Sequence, residues 1–313
     1  MFDKDPNNTG DLTLGNGGIP LNLVAKRIGL GDERQELKRE LLHTLLGRNQ
    51  AVIAEDAATP GPEPMSQVRV EQALRSLAHL GEAGPEVLSV VSLHALQADE
   101  HEHLREALST LATLNPGVGA IVAYVRTLDA TTSLSMKALY ALSEVEKPLA
   151  IKRVLEMLSG SDEDLQSDAL MALAVFDPQS ALNVSNEILA DDNASEILRS
   201  TAFYLSMSGS PSGAELAPVE IGEELQDGLT ITISALRGAD IQERLAALNW
   251  LARERPKLAS CIMADRLRDP SPEIRHASLQ GLANQSSEAA RLLAPLVIDD
   301  SDQRVAELAK RLV

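Results

Sequence analysis

From about residue 65 onward, small and apolar residues return in a fixed pattern, Ala-Leu-x-x-Leu-Ala. It reads Ala73-Leu74-x-x-Leu77-Ala78, Ala107-Leu108-x-x-Leu111-Ala112, Ala138-Leu139-x-x-Leu142-Ser143 and Ala169-Leu170-x-x-Leu173-Ala174. Looser copies begin at Thr201, Ala247 and Ser278, and a truncated one near Ala309. Successive starts lie 34, 31, 31, 32, 46, 31 and 31 residues apart. Each copy puts Ala and Leu on one stripe of a helix. Small Ala admits a neighbouring helix, and Leu fills the space between. A step of about 31 residues is the mark of stacked helix pairs.

Other residues punctuate the pattern. Pro116, Pro148, Pro178 and Pro256 each follow a copy by a few residues and suit the first turn of a partner helix. Asp99, Asp162, Asp191, Asp240, Asp269 and Asp300 precede the patterned helices, where a carboxylate can cap and oppose the helix dipole. A unit is therefore proline, helix A, acidic turn, helix B. The expected fold is all-α, an α-solenoid of about eight stacked helix-pair repeats over residues 65–313.

Residues 1–64 break the rhythm. Gly15-Asn16-Gly17-Gly18 and the proline-rich run at 57–64 are poor helix formers. Between them Leu37, Leu41, Leu42, Leu45 and Leu46 form one apolar stripe, with Asp32 as a cap and Gly47 as a stop. This predicts a mobile N-terminal arm carrying an amphipathic helix at about 32–47. That helix docks on the solenoid end or on a partner. The 46-residue step exceeds the others by 15, and the excess falls near 207–222, which holds Gly209, Pro211, Gly213, Pro218 and Gly222. It reads as an inserted loop whose replacement by a short turn should leave the array folded but weaken partner binding.

Composition sharpens this picture. Aromatic residues make up 2% of a chain that is 44% hydrophobic, so the core must be thin layers of Leu, Ala, Val and Ile. The net charge of −18 opposes nucleic-acid phosphates and anionic membranes and suits partner proteins with basic surfaces. Met1-Phe2-Asp3-Lys4-Asp5-Pro6 is no leader, and no apolar run approaches a membrane span. With one cysteine, Cys261, the chain is expected to be cytoplasmic.

Asp269-Pro270-Ser271-Pro272-Glu273-Ile274-Arg275-His276-Ala277-Ser278-Leu279 resembles the repeat motif of HEAT-repeat proteins, and Asp162 to Leu173 resembles it more weakly. The resemblance covers about 65–313. It implies a curved surface that holds other proteins, and it does not specify one function. Enzymes of this kind also imply tests. Deoxyhypusine hydroxylases carry repeated His-Glu pairs for two irons, but Ala277 follows His276, and His101-Glu102 is out of register. HEAT-like DNA glycosylases use a basic face, which the charge opposes. HEAT-like phycobilin lyases, or another maturation factor acting on a cofactor-bearing protein, remain the second functional reading.

Catalytic, cofactor and metal sites are not expected. His94, His101 and His103 with Glu100 and Glu102 resemble metal ligands, but His101 and His103 diverge at the start of a helix. Gly15-Asn16-Gly17-Gly18 lacks the Lys-Ser/Thr of a phosphate loop, and Gly209-Ser210-Pro211-Ser212-Gly213 is no nucleophile elbow. Cys261 reads as a buried thiol. Protein-binding candidates remain. Asp162, Glu163 and Asp164, with Asp191 and Asp192, fall on successive turns and form either an acidic ridge or ordinary caps. Arg253, Arg255, Arg266 and Arg268 cluster with Lys257 where the acidic excess ends. Tyr204 and Trp250 occupy a column that holds Ser76, Thr110, Ala141, Ala172 and Gly281 in other copies. They either pack the inserted loop or anchor a partner. The resulting function is a non-enzymatic protein-binding scaffold or adaptor, of unspecified oligomeric state.

Overall fold

The computed structural model describes residues 31–55, 67–129, 132–208 and 221–313. The arm before residue 31, the proline-rich run and the centre of the insertion lie outside the described residues. Within them the chain is all-α, with sixteen α-helices and one 3-10 turn. We number the helices α1 (Gly31–Glu55), α2 (Gln67–Leu80), α3 (Pro85–Gln97), α4 (His101–Leu114), α5 (Pro116–Asp129), α6 (Thr132–Val145), α7 (Lys147–Leu158) and α8 (Glu163–Phe176). Next come α9 (Pro178–Ala190), α10 (Glu196–Met207), α11 (Glu223–Arg237), α12 (Ile241–Glu254), α13 (Pro256–Arg266), α14 (Pro272–Gln285), α15 (Ser287–Leu293) and α16 (Gln303–Leu312).

The punctuation works locally as its chemistry requires. Pro85, Pro116, Pro178, Pro256 and Pro272 open helices, and Pro148 is the second residue of α7. Asp162 and Asp240 cap α8 and α12, accepting from Leu165 N and Gln242 N. Asp191, Asp269 and Asp300 act one step earlier, each accepting the backbone N–H two residues on. The 31-residue step is also visible in ion pairs. Arg244 reaches Asp269 at 2.7 Å, and Arg275 grips Asp300 with two bonds of 2.7 Å, one repeat later. Both pairs are nearly buried and tie one repeat to the next.

The helices form two stacks. In the first, α2, α4, α6, α8 and α10 make an outer layer over α3, α5, α7 and α9. In the second, α12, α14 and α16 lie over α11, α13 and α15. The second stack does not continue from α10. It doubles back, so that α11 packs on α5, α13 on α3, and α15 on α3 and α1. Arg237 Nη2 on α11 donates to the Leu128 carbonyl of α5 at 2.7 Å across this seam.

The central helices explain the arrangement. On α3 every residue from Glu86 to Ala95 is buried, and on α13 every residue from Leu258 to Ala264. Neither sequence has a polar face, so each must be covered on all sides. Ser89, Ser92, Ala259, Ser260, Cys261 and Ala264 are small enough to let the two helices approach. The insertion is therefore a connection with a task. It carries the chain from the end of the first stack back to α5, so a short turn cannot replace it without consequence.

The N-terminal helix belongs to this fold. Leu37, Leu41, Leu42, Leu45 and Leu46 are buried, and α1 packs on α2, α3 and α15. The helix continues through Gly47 to Glu55. A glycine costs a helix interior about 1 kcal/mol and does not end it unaided.

One core runs from Leu37 to Ala309, and a small satellite of Leu170, Leu198 and Ala202 sits at the α8–α10 end. Leu173, fully buried on α8, belongs to the main core. Leu173→Ala should lower unfolding free energy by about 2–5 kcal/mol in denaturant titration, through lost contacts and a residual cavity.

Candidate functional site

Positions five and one before each pattern start, and two and six after it, share one helix face. Their separations of four, three and four residues follow the helical turn. On α6 these positions hold Ser133, Lys137, Tyr140 and Glu144. On α8 they hold Asp164, Asp168, Met171 and Val175. On α10 they hold Glu196, Ser200, Phe203 and Met207. All of these residues are exposed. Two rows thus cross the outer layer. One is acidic at Asp164, Asp168 and Glu196; the other is apolar at Tyr140, Met171, Val175, Phe203 and Met207.

The apolar row is unusual for a surface. Val175 is 66% exposed, Phe203 56% and Met207 72%, and Tyr204 beside them is 62% exposed. Four of the chain's seven aromatic residues lie on these three helices. The Tyr140 ring stands edge-on to Phe176 at 5.2 Å, which joins α6 to α8 beneath the row. Elsewhere the column containing Tyr140, Met171 and Phe203 holds Arg75, Ser109, Asn249 and Gln280. Contiguous exposed apolar side chains mark contact surfaces.

Tyr204 and Trp250 are placed by the break between stacks. Their column faces the next repeat. Trp250 on α12 has α14 beside it and is half-buried against the core. The chain leaves α10 without stacking a further repeat there, so Tyr204 stands in the open. The two rings therefore sit in different stacks, and Tyr204 joins the apolar row while Trp250 belongs to packing.

The acids fall as an edge. Glu163, Asp164 and Asp192 are exposed, while Asp162 and Asp191 are exposed and also hold turn N–H groups. Between Arg153 and Arg237 the sole basic residue is Arg199, and its Nη2 donates to the Asp191 carbonyl at 2.6 Å. The arginine cluster is largely engaged inside its own stack. Arg253 pairs with Glu254, Arg255 with Glu224, and Arg266 with Asp265 and Asp269. Arg268 is exposed.

The histidines near residue 100 and the cysteine have partners within the fold. His103 is buried with Nδ1 3.2 Å from Glu100, whereas His101 bonds Ser133 at 2.8 Å. Among the described residues no group of three or more His, Cys, Asp or Glu is placed to hold a metal ion. Cys261 faces Ser92 at the seam, and burial pushes its thiol up to about 12, which leaves it protonated and unreactive. A cavity of about 590 Å³ opens at the seam, floored by Val118, Ile121, Leu225 and Leu258, with Arg255 bridging Glu224 at its rim. No helix among the described residues is long and apolar enough to cross a membrane. No family model matches the chain, and no curated protein matches it.

Sequence reasoning singled out Tyr204 and the acids and passed over Tyr140, Met171, Val175, Phe203 and Met207. The signal was present two residues into the pattern, where polar residues give way to Tyr140, Met171 and Phe203 in three consecutive repeats, and six residues in, where Val175 and Met207 follow Glu144.

Proposed function

We propose that this chain is a non-catalytic, HEAT-like adaptor that holds another protein on the outer face of α6, α8 and α10. The observation that carries the reading is the exposed row of Met171, Val175, Phe203 and Met207. Water-exposed Met and Phe supply adaptable contact area and gain most when a partner covers them. The helices beneath are ordered by a packed core, so the face is presented without a folding cost at binding.

The test compares the tagged full chain with a Val175→Ser, Phe203→Ser, Met207→Ser variant in extracts of the native host. The three positions are exposed, so stability should change by less than about 0.5 kcal/mol for each. The wild type should recover one protein in stoichiometric amount, and the variant should lose it. Equal recovery by both, or turnover of a small molecule by the purified chain, overturns the reading.

A further inference from the structure

We infer that the occupant of this face is a basic amphipathic helix of a partner protein, lying across α6, α8 and α10. The inference rests on the adaptor reading and names the chemistry of its partner.

Two parallel rows define the ligand. The apolar row asks for an apolar stripe, and Asp164, Asp168 and Glu196 ask for cations beside it. Asp168 and Met171 are one helical turn apart, roughly 5 Å along the α8 axis, so an element about 10 Å wide covers both rows. Adjacent helices pack about 10 Å apart, so the rows run about 20 Å from α6 to α10, which a helix of about 14 residues spans.

Charge selects the sign of the ligand. The acids of the row have Glu163, Asp191 and Asp192 behind them, and Arg199, the one cation on α8 to α10, is held by the Asp191 carbonyl. At α6 the row ends in Lys137, and the apolar row ends in Glu144. The ligand's cations therefore belong over α8 and α10. A second copy of this chain is a poor occupant, because self-pairing would set acid against acid between molecules of charge −18 each. An anionic membrane is opposed by the same row.

The experiment uses the full chain and two fluorescent peptides of equal length. Both carry leucine at helical spacing; one has lysine and the other glutamate on the polar face. Anisotropy should show binding of the lysine peptide only, weakened at least tenfold by Asp164→Lys with Asp168→Lys, and likewise by Phe203→Ser with Met207→Ser. Asp299→Lys with Glu307→Lys changes net charge equally at a remote exposed site and should leave binding within about twofold. Equal loss in that control means diffuse attraction and overturns the proposal, as does equal binding of the glutamate peptide. If the serine variant loses its captured partner while the lysine peptide never binds, this inference falls and the adaptor reading stands. If the wild type self-associates and the serine variant is monomeric, a second copy is the occupant. If the lysine peptide never binds and the serine variant captures as the wild type does, both readings fall.

Discussion

Lys38→Met should lower the unfolding free energy by about 3–5 kcal/mol, because it leaves a carboxylate buried without its cation. Lys38 is only 5% exposed. Its Nζ lies 2.9 Å from Glu86 Oε1 and 3.4 Å from Glu82 Oε2, which pins α1 to the start of α3. Glu86 is buried too. The pair need not stabilise the fold much over an apolar pair of similar volume, but half of it is worse than either. The double variant Lys38→Met, Glu86→Leu should therefore regain most of the loss. Burial lowers the Lys38 pKa, but the bond to Glu86 and the charges of Glu86, Glu288 and Glu82 outweigh it, and the value lies above 10.5. A raised lysine pKa gives stabilisation that is complete below the unfolded value and is lost as pH rises through the folded one. The wild type should show no loss from this pair between pH 6 and about 9 and a decline above roughly 10.5, which the double variant lacks. Denaturant titrations across that range check both statements. The half-buried pair Arg34–Glu82 at the edge of this cluster should contribute under about 1 kcal/mol.

What the sequence made legible follows from what is local. Proline at a helix start, a carboxylate in the turn before a helix, and Ala and Leu on one stripe act within one repeat, and α4 to α10 obey them. The doubling back is a different kind of fact. The repeat phase tells which stripe of a helix is buried, but not by which neighbour. Its signal was the absence of a polar face in Pro85–Gln97 and Pro256–Arg266, which requires cover that one stack cannot provide. The proposed docking face was half legible. Reading the column of Tyr204 alone paired it with Trp250, a residue of the other stack. Reading the neighbouring columns groups it with Phe203 and Met207 on the same helix and Met171 on the next. The arginine cluster divides: Arg266 serves Asp269, which also receives Arg244, whereas Arg253 and Arg268 stay exposed.

Replacing residues 209–220 by a two-residue turn should undock the second stack from the first. Both ends of this segment are fixed. Ser208 closes α10 at the end of the first stack, and Ile221 precedes α11, which packs on α5. The α9–α10 pair lies two repeats beyond α5, so at about 10 Å per repeat the connection spans at least roughly 20 Å. Two residues reach about 7 Å, whereas twelve reach about 40 Å. A short turn therefore forces α11 away from α5 or pulls α10 from its stack. Either way the apolar surfaces of α3 and α13 lose their cover, and the loss far exceeds the closure entropy recovered by shortening, which is under about 2 kcal/mol. The variant should show a larger hydrodynamic radius, strong binding of an apolar dye, and unfolding in more than one step. A Gly-Ser segment of equal length should restore a compact, cooperatively unfolding chain, because reach and not side-chain identity is what the connection supplies. A short-turn variant that stays compact and unfolds in a single step with wild-type stability would contradict the doubled-back arrangement and return the array to one continuous stack.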